Sequence, residues 1–404
     1  MRTSLVIACL FLYSLLNAQV MWQVKKDTVI KWYYYDGDEF NDSSYDSEKW
    51  TPDFSWTAVN YDLNCLMTPE RLVFDKGVCH FVCDRDTGTY PIPNWHLDSA
   101  FAKRYKKDIV DGNKFRYYYT AGNVWSKTGY SKGYFEIRFK SVKEYGMWPT
   151  FWLFGKDNDE IDIFELKGEK RKQAHVDMHC LKGCDSGWGI MSKSFGGWIG
   201  VTQNLDEDYN IFSGEWLDGY VKYYLNGQPV AIFKGDLSSE KMNLILGNSP
   251  AKDGSGFSPG VNAKTNFPNS YDVDYVRVWY KDQRSKEEVL GKKHTEFDFV
   301  PAAGKPNAFL KKKVGSIYSK KAFRNDYLTI SILPKKNKKL IVTSLGKEID
   351  YAVKFYSAGN KELLTKNVRE QMNEFDFSSL NINDPVKARI EIDGRIIEET
   401  FTLR

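Results

Sequence analysis

Asp159, Glu160, Asp162 and Glu165 place four carboxylates within the seven residues DEIDIFE. Ile161, Ile163 and Phe164 between them give the run the apolar pattern of a strand. An extended chain sends residues i and i+2 to one face, so Glu160 and Asp162 point the same way with Ile161 and Ile163 behind them. Glu165 lies an odd step beyond Glu160, and a regular strand would send it to the opposite face. One β-bulge at Ile163-Phe164 restores the parity and brings Glu165 round to join the other two. Three acids crowded on one sheet face repel each other. Glycoside hydrolysis has a use for that crowding, with two carboxyls about 5–5.5 Å apart when the anomeric configuration is retained. A third acid between them holds a proton and tunes its neighbours.

Other readings of the acidic run do less well. An EF-hand loop starting at Asp157 would need an oxygen ligand where Ile161 stands and glycine where Asp162 stands. A solvated strand face would not follow the apolar run Met147-Trp148-Pro149-Thr150-Phe151-Trp152-Leu153-Phe154.

The frame around them reads as all-β. From about Lys31 to Lys281 the chain alternates in short runs broken by Gly, Asn, Asp and Pro. Examples are Gly133–Lys140 and Tyr220–Leu225, the latter ending in the hairpin pair Asn226-Gly227. Many short strands without a long helical period predict a β-sandwich, and a sheet bent across one face makes an open groove for a polymer. Past Tyr280 the chain turns Lys-rich, and Pro301-Ala302-Ala303-Gly304-Lys305-Pro306 reads as linker. Strand signals return at Leu328–Leu333, Leu340–Thr343, Tyr351–Tyr356, Val386–Ile392 and Ile396–Thr402. The expected organisation is a leader at 1–18, a catalytic unit at 19–282, a linker at 283–325 and a small β-sandwich-like domain at 326–404, with an accessory or sorting role.

Composition narrows the partners. The 57 basic and 53 acidic side chains leave +4, which makes no case for nucleic acid. Twelve Trp and 25 Tyr suit sugar stacking as well as core filling. The clusters Lys31-Trp32-Tyr33-Tyr34-Tyr35 and Arg116-Tyr117-Tyr118-Tyr119 exceed what a core alternation needs. Arg2, the apolar stretch from Leu5 to Leu16 and the small end at Asn17-Ala18 read as a secretory signal. The protein is therefore expected outside the cytoplasm (secreted, periplasmic or at the cell surface), as a monomer with no membrane span. Once Cys9 leaves with the leader, five cysteines remain. Cys180 and Cys184 flank a short loop and are expected to pair, with Cys65 to Cys79 or Cys83 as a second bridge. Zinc is disfavoured, because His80 and His179 each point away from the adjacent Cys79 and Cys180 on a strand. No metal is assigned and no cofactor is required; a structural calcium is not indicated by the sequence.

Residues 30–281 resemble glycoside hydrolase family 16, the laminarinases, agarases, carrageenases and their relatives. Glu160-Ile161-Asp162-Ile163-Phe164-Glu165 has the form of the family's bulged E-x-D-x-x-E signature, with Trp148-Pro149 and Trp152 at the expected place before it. Asp38-Glu39-Phe40, Tyr223-Tyr224-Leu225-Asn226-Gly227 and Val273–Trp279 look like its opening, late and closing strands. The resemblance implies a β-jelly roll with an open substrate groove and a retaining endo-β-glycanase. Carried over, Glu160 becomes the nucleophile, kept ionised; Glu165 the general acid/base, held protonated; and Asp162 their assistant. Trp148 and Trp152 would line the groove. His179 and Asn248 sit where family members contact substrate, an ordinary strand role being equally open for both. Asn123, in Tyr119-Thr120-Ala121-Gly122-Asn123, stands where many β-1,3-glucanases carry Arg, which opens the substrate to algal galactans and other β-glucans. Lys127, Lys167 and Lys170 would serve sulfate groups or simply be solvated. A non-catalytic polysaccharide-binding sandwich is the competing class, since fold does not fix function. The tail's 355–361 segment and closing strands resemble sorting domains of type IX secretion.

Overall fold

The structure, a computed structural model, describes residues 19–24, 29–54, 57–155, 158–185, 191–235, 237, 239–251, 257, 259–281, 316–317, 328–335, 337–346, 351–368, 371–380, 385–392 and 395–403. The expected leader with Cys9, nearly all of the expected linker and the Cys184 side chain lie outside the described residues.

Alternating apolar runs pair into two facing sheets, a β-jelly roll. The seven strands of the groove sheet are Met191–Gly200, Gln173–Asp185, Glu160–Glu165, Met147–Gly155, Met242–Pro250, Asn123–Tyr130 and Trp50–Thr51 in spatial order, all antiparallel. The acid strand is thus third from one edge. The outer sheet contains Gly133–Lys140, Asn210–Leu217, Tyr220–Leu225, Gln228–Lys234 and Asn269–Tyr280. Asn226 and Gly227 both take positive φ, 48° and 76°, the geometry of the anticipated two-residue hairpin.

The core between the sheets is aromatic. Phe164, fully buried, meets Phe139, Phe151 and Phe212 at ring-centroid distances of 4.6, 5.9 and 5.5 Å. Truncating such a side chain to Ala costs about 3–5 kcal/mol. Phe164 therefore anchors the acid strand from below while its neighbours face the groove.

The strand Val20–Val24, unannounced by any long alternation, pairs on one side with Val29–Asp38 and on the other with Leu328–Lys335. Through it the outer sheet runs on into Leu328–Lys335, Lys339–Gly346 and Met372–Asp376, backed by a four-stranded sheet from the tail. Val20, Trp22 and Val24 belong to the same core as Ile330, Phe355 and Ile390. The Trp-Tyr cluster at 31–35 is accounted for here. Trp32 is fully buried 5.4 Å from Tyr134, and Tyr34 meets Trp279 edge-on at 5.5 Å, beside Met21 and Leu333. Arg277 reinforces the seam, bonding Glu39 with two nitrogens at 2.6 and 2.9 Å and Thr343 at 3.4 Å. No helix among the described residues is long and apolar enough to cross a membrane.

The cysteines correct one expectation. Cys180 is disulfide-bonded, while Cys65, Cys79 and Cys83 are free and buried. Cys65 pairs with Tyr119, and Cys83 with Ala121, on opposite edges of the strand Lys114–Ala121. The two thiols meet in one small core with Met67 and Ala121, where Cys83 is hydrogen-bonded to Cys65 and both stay reduced. Cys79 instead joins the core between the two sheets.

Candidate active site

The acid strand carries the bulge that parity demands. Thr150 faces Glu165 and Phe151 faces Phe164, but Trp152 faces Asp162, leaving Ile163 unpaired. The same slip appears against Gln173–Asp185. Glu160, Asp162 and Glu165 therefore share the groove face, with Ile161, Ile163 and Phe164 fully buried behind them.

Each acid has defined partners. Trp148 Nε1 donates to Glu165 Oε1 at 3.1 Å, and His175 Nδ1 stands 3.1 Å from Glu165 Oε2. His179 Nε2 lies 3.2 Å from Asp162 Oδ2 and 3.6 Å from Asp177 Oδ2. Asp177 faces Asp162 across the sheet. On its far side a Cβ at Gly196 would come within 2.3 Å of Asp177 Oδ2, so the glycine makes room for that carboxylate.

Burial pushes Glu160 well above the usual carboxylate range; Asp162 adds to the push through charge and hydrogen bond, and His179 opposes it. Burial also raises Asp162, aided by Glu165 and Asp177. Burial works downward on His179, yet the negative charges of Glu160, Asp177 and Glu165 carry it above its ordinary value. Two hydrogen-bonded buried acids share a proton. The expected ionised Glu160 is thus opposed by its setting: burial and Asp162 favour its protonated form, while His179, itself raised toward the cationic form, favours the loss of that proton. Glu160, Asp162 and His179 also offer atoms within 4.8 Å of one another, a spacing that one cation would fit. His179 already bridges Asp162 and Asp177, which marks the cluster as proton-sharing.

The other expected site residues divide. Trp152 is on the groove face in register with Asp162, and Trp148 reaches Glu165. Asn123 lies in register with Gly247, which lies in register with Thr150, so it shares the groove face. It is covered there, its Nδ2 donating to the Pro52 carbonyl at 3.2 Å. Asn248 is a correction: it pairs with buried Pro149, is fully buried, and donates to the Phe81 carbonyl at 3.0 Å. Parity sends it between the sheets, away from the groove. Lys127 bonds the Ser47 carbonyl at 2.7 Å. Sequence reasoning missed His175, Asp177, Trp198 and Phe257. The alternation His175-Val176-Asp177-Met178-His179 carried the signal for the first two.

A jelly roll whose groove face aligns two glutamates and an aspartate over a bulge has the architecture of a polysaccharide-processing sandwich. The family model for glycosyl hydrolases family 16 matches residues 62–277, and the chain belongs to that family. Glucan endo-1,3-beta-glucosidase A1 of Niallia circulans is 22% identical over 274 residues, 61% of this chain and 37% of that protein. Kappa-carrageenase of Pseudoalteromonas carrageenovora is 26% identical over 189 residues, 41% of this chain and 47% of that protein. The chain thus spans less than half the length of these curated relatives. In fold it is similar to the laminarinase catalytic domain of Thermotoga maritima (TM-score 0.50, 20% identity, 63% of this chain and 99% of that one). It is equally similar to the endo-beta-1,3-glucanase of Pyrococcus furiosus (TM-score 0.51, 20% identity, 64% and 97%).

Proposed function

We propose that the protein is a secreted retaining endo-β-glycanase that hydrolyses internal β-glycosidic bonds of a polysaccharide by double displacement. The backbone is a β-1,3- or mixed-linkage glucan or an algal galactan, and residues 19–282 carry the reaction. The observation that supports it is the bulge at Ile163, which puts Glu160, Asp162 and Glu165 on one face of the groove.

Glu160 attacks the anomeric carbon as Glu165 gives its proton to the departing glycosidic oxygen. The bond to the leaving sugar breaks and a glycosyl ester forms on Glu160. Glu165, now a carboxylate, takes a proton from water, which attacks the ester and restores Glu160. Trp148 Nε1–H and His175 orient Glu165 through both halves. Asp162 takes up the proton that Glu160 must shed, and a cationic His179 favours the ionised pair. A role in binding alone gives no reason to bury three acids together at this cost.

Proton NMR of the first product tests it. The β anomer should appear first; an initial α anomer overturns double displacement. Glu160→Gln that keeps more than about a tenth of the activity would remove Glu160 as nucleophile.

A further inference from the structure

The groove beyond Glu165 is unlike the rest of it. Glu165, His175 and Trp198 stand in one row across three strands. Trp198 is 37% exposed, high for so large an apolar side chain. Phe257 stacks between it and Trp148, at ring-centroid distances of 5.3 and 4.6 Å and interplanar angles of 30° and 13°. His175 meets the same rings.

Lys167, two residues past Glu165, brings its Nζ to 4.7 Å from the Trp198 centroid and 5.0 Å from that of Phe257. Among the described residues it forms no ion pair. The carboxylates nearby are engaged elsewhere: Glu169 accepts from the Gly146 amide at 3.2 Å, and Glu165 is held by Trp148 and His175. Burial lowers the Lys167 pKa from its ordinary value, with Lys170 adding to it, and outweighs the opposing pull of Glu169 and Glu165, neither of which is in direct contact. Two aromatic faces compensate part of that charge. An anion brought by the ligand would compensate the rest, with the exposed indole free to take a sugar ring.

We propose that this flank is a subsite for an anionic sugar of the bound chain, with Trp198 carrying the ring and Lys167 its negative substituent, a sulfate ester or a carboxylate. The assignment rests on the endo-glycanase reading of the groove.

The test uses the full chain and three forms of one galactan: sulfated, chemically desulfated, and desulfated then oxidised to carry uronate. The wild-type protein should cut one anionic form with kcat/KM at least tenfold above the desulfated one, mainly through KM. Lys167→Met should reduce that preference to about one, and Lys167→Arg should restore most of it. Whichever anionic form is preferred identifies the substituent. A preference that is absent, or that survives Lys167→Met, overturns the subsite while leaving the endo-glycanase reading intact. Calorimetry with the Glu160→Gln chain decides it without turnover. At least tenfold tighter binding of an anionic oligosaccharide, lost in the Lys167→Met double variant, supports the subsite; equal binding overturns it. Failure to cut any glycan would count against the endo-glycanase reading alone.

Discussion

The two flanks of the acid strand are both aromatic, but they are built differently. Toward Trp50–Thr51, Trp125, Trp152, Phe154 and Phe54 interlock edge-on, with centroids 5.8–6.4 Å apart, around fully buried Ile245. Toward Met191–Gly200, Trp148, Phe257 and Trp198 stack face to face, with His175 and Lys167 against them. Edge-locked rings present a rigid apolar wall, which selects by shape. A stacked column with an ammonium beside it selects by ring face and charge. The same sheet thus carries two kinds of aromatic surface, one on either flank of the acid strand.

The largest effect should come from dividing the flanks by chemistry. Glu160→Gln is expected to abolish turnover by several orders of magnitude on every substrate. Glu165→Gln should recover much of its first step on an aryl glycoside whose leaving group needs no proton. Stopped-flow release of the aryl alcohol checks this. Equal rescue of both variants would erase the assigned roles.

Trp148→Phe keeps the stacked column but removes the Nε1–H donor to Glu165. As Glu165 gives up its proton this becomes a hydrogen bond to a charged group, worth about 1.5–3 kcal/mol, so kcat should fall by about ten- to hundredfold with KM little changed. A pure KM effect would mean that Trp148 only binds sugar.

Trp152→Ala probes the edge-locked wall. Ring contacts of about 0.5–1.5 kcal/mol predict about a three- to tenfold rise in KM, alike for neutral and anionic glycans. A charge-dependent change would merge the two flanks into one.

His179→Gln should act through pH. A cationic His179 lowers Glu160, so its removal raises Glu160 further. The acidic limb of kcat/KM, which reports the group that must lose its proton in the free enzyme, should move to higher pH. A limb that stays put or moves down would show that His179 is neutral in the working enzyme.

Much of this was legible in the sequence because strands obey parity. The odd step from Glu160 to Glu165 forced a bulge, and Ile163 is unpaired where it was placed. Asn248 shows the cost of matching a motif without counting: Trp148, Thr150 and Trp152 face the groove, so their partners Ser249, Gly247 and Ile245 do too, and Asn248 falls between. Phe257 lies far along the chain from the acids, and only tertiary packing brings it beside Trp148. The surroundings of the cysteines were hidden for a similar reason. The sequence does not show that Cys65 and Cys83 flank one strand from opposite sides. The strand Val20–Val24 is too short for alternation to distinguish it from the apolar run that precedes it in the sequence.

That short strand ties the beginning of the chain to its end. Hydrogen-bonded to Val29–Asp38 on one edge and Leu328–Lys335 on the other, it is completed only by a strand made much later in synthesis. The outer layer is therefore sealed late, after a loop closure of about 300 residues, the slow kind of contact in folding. It also means that one proteolytic cut between Lys281 and Ser316 would not release the tail. The two fragments would stay joined through the Val20–Val24 ladder, the Arg277–Thr343 contact and the pairing of Ala231 with Ile317, and would come apart only in denaturant.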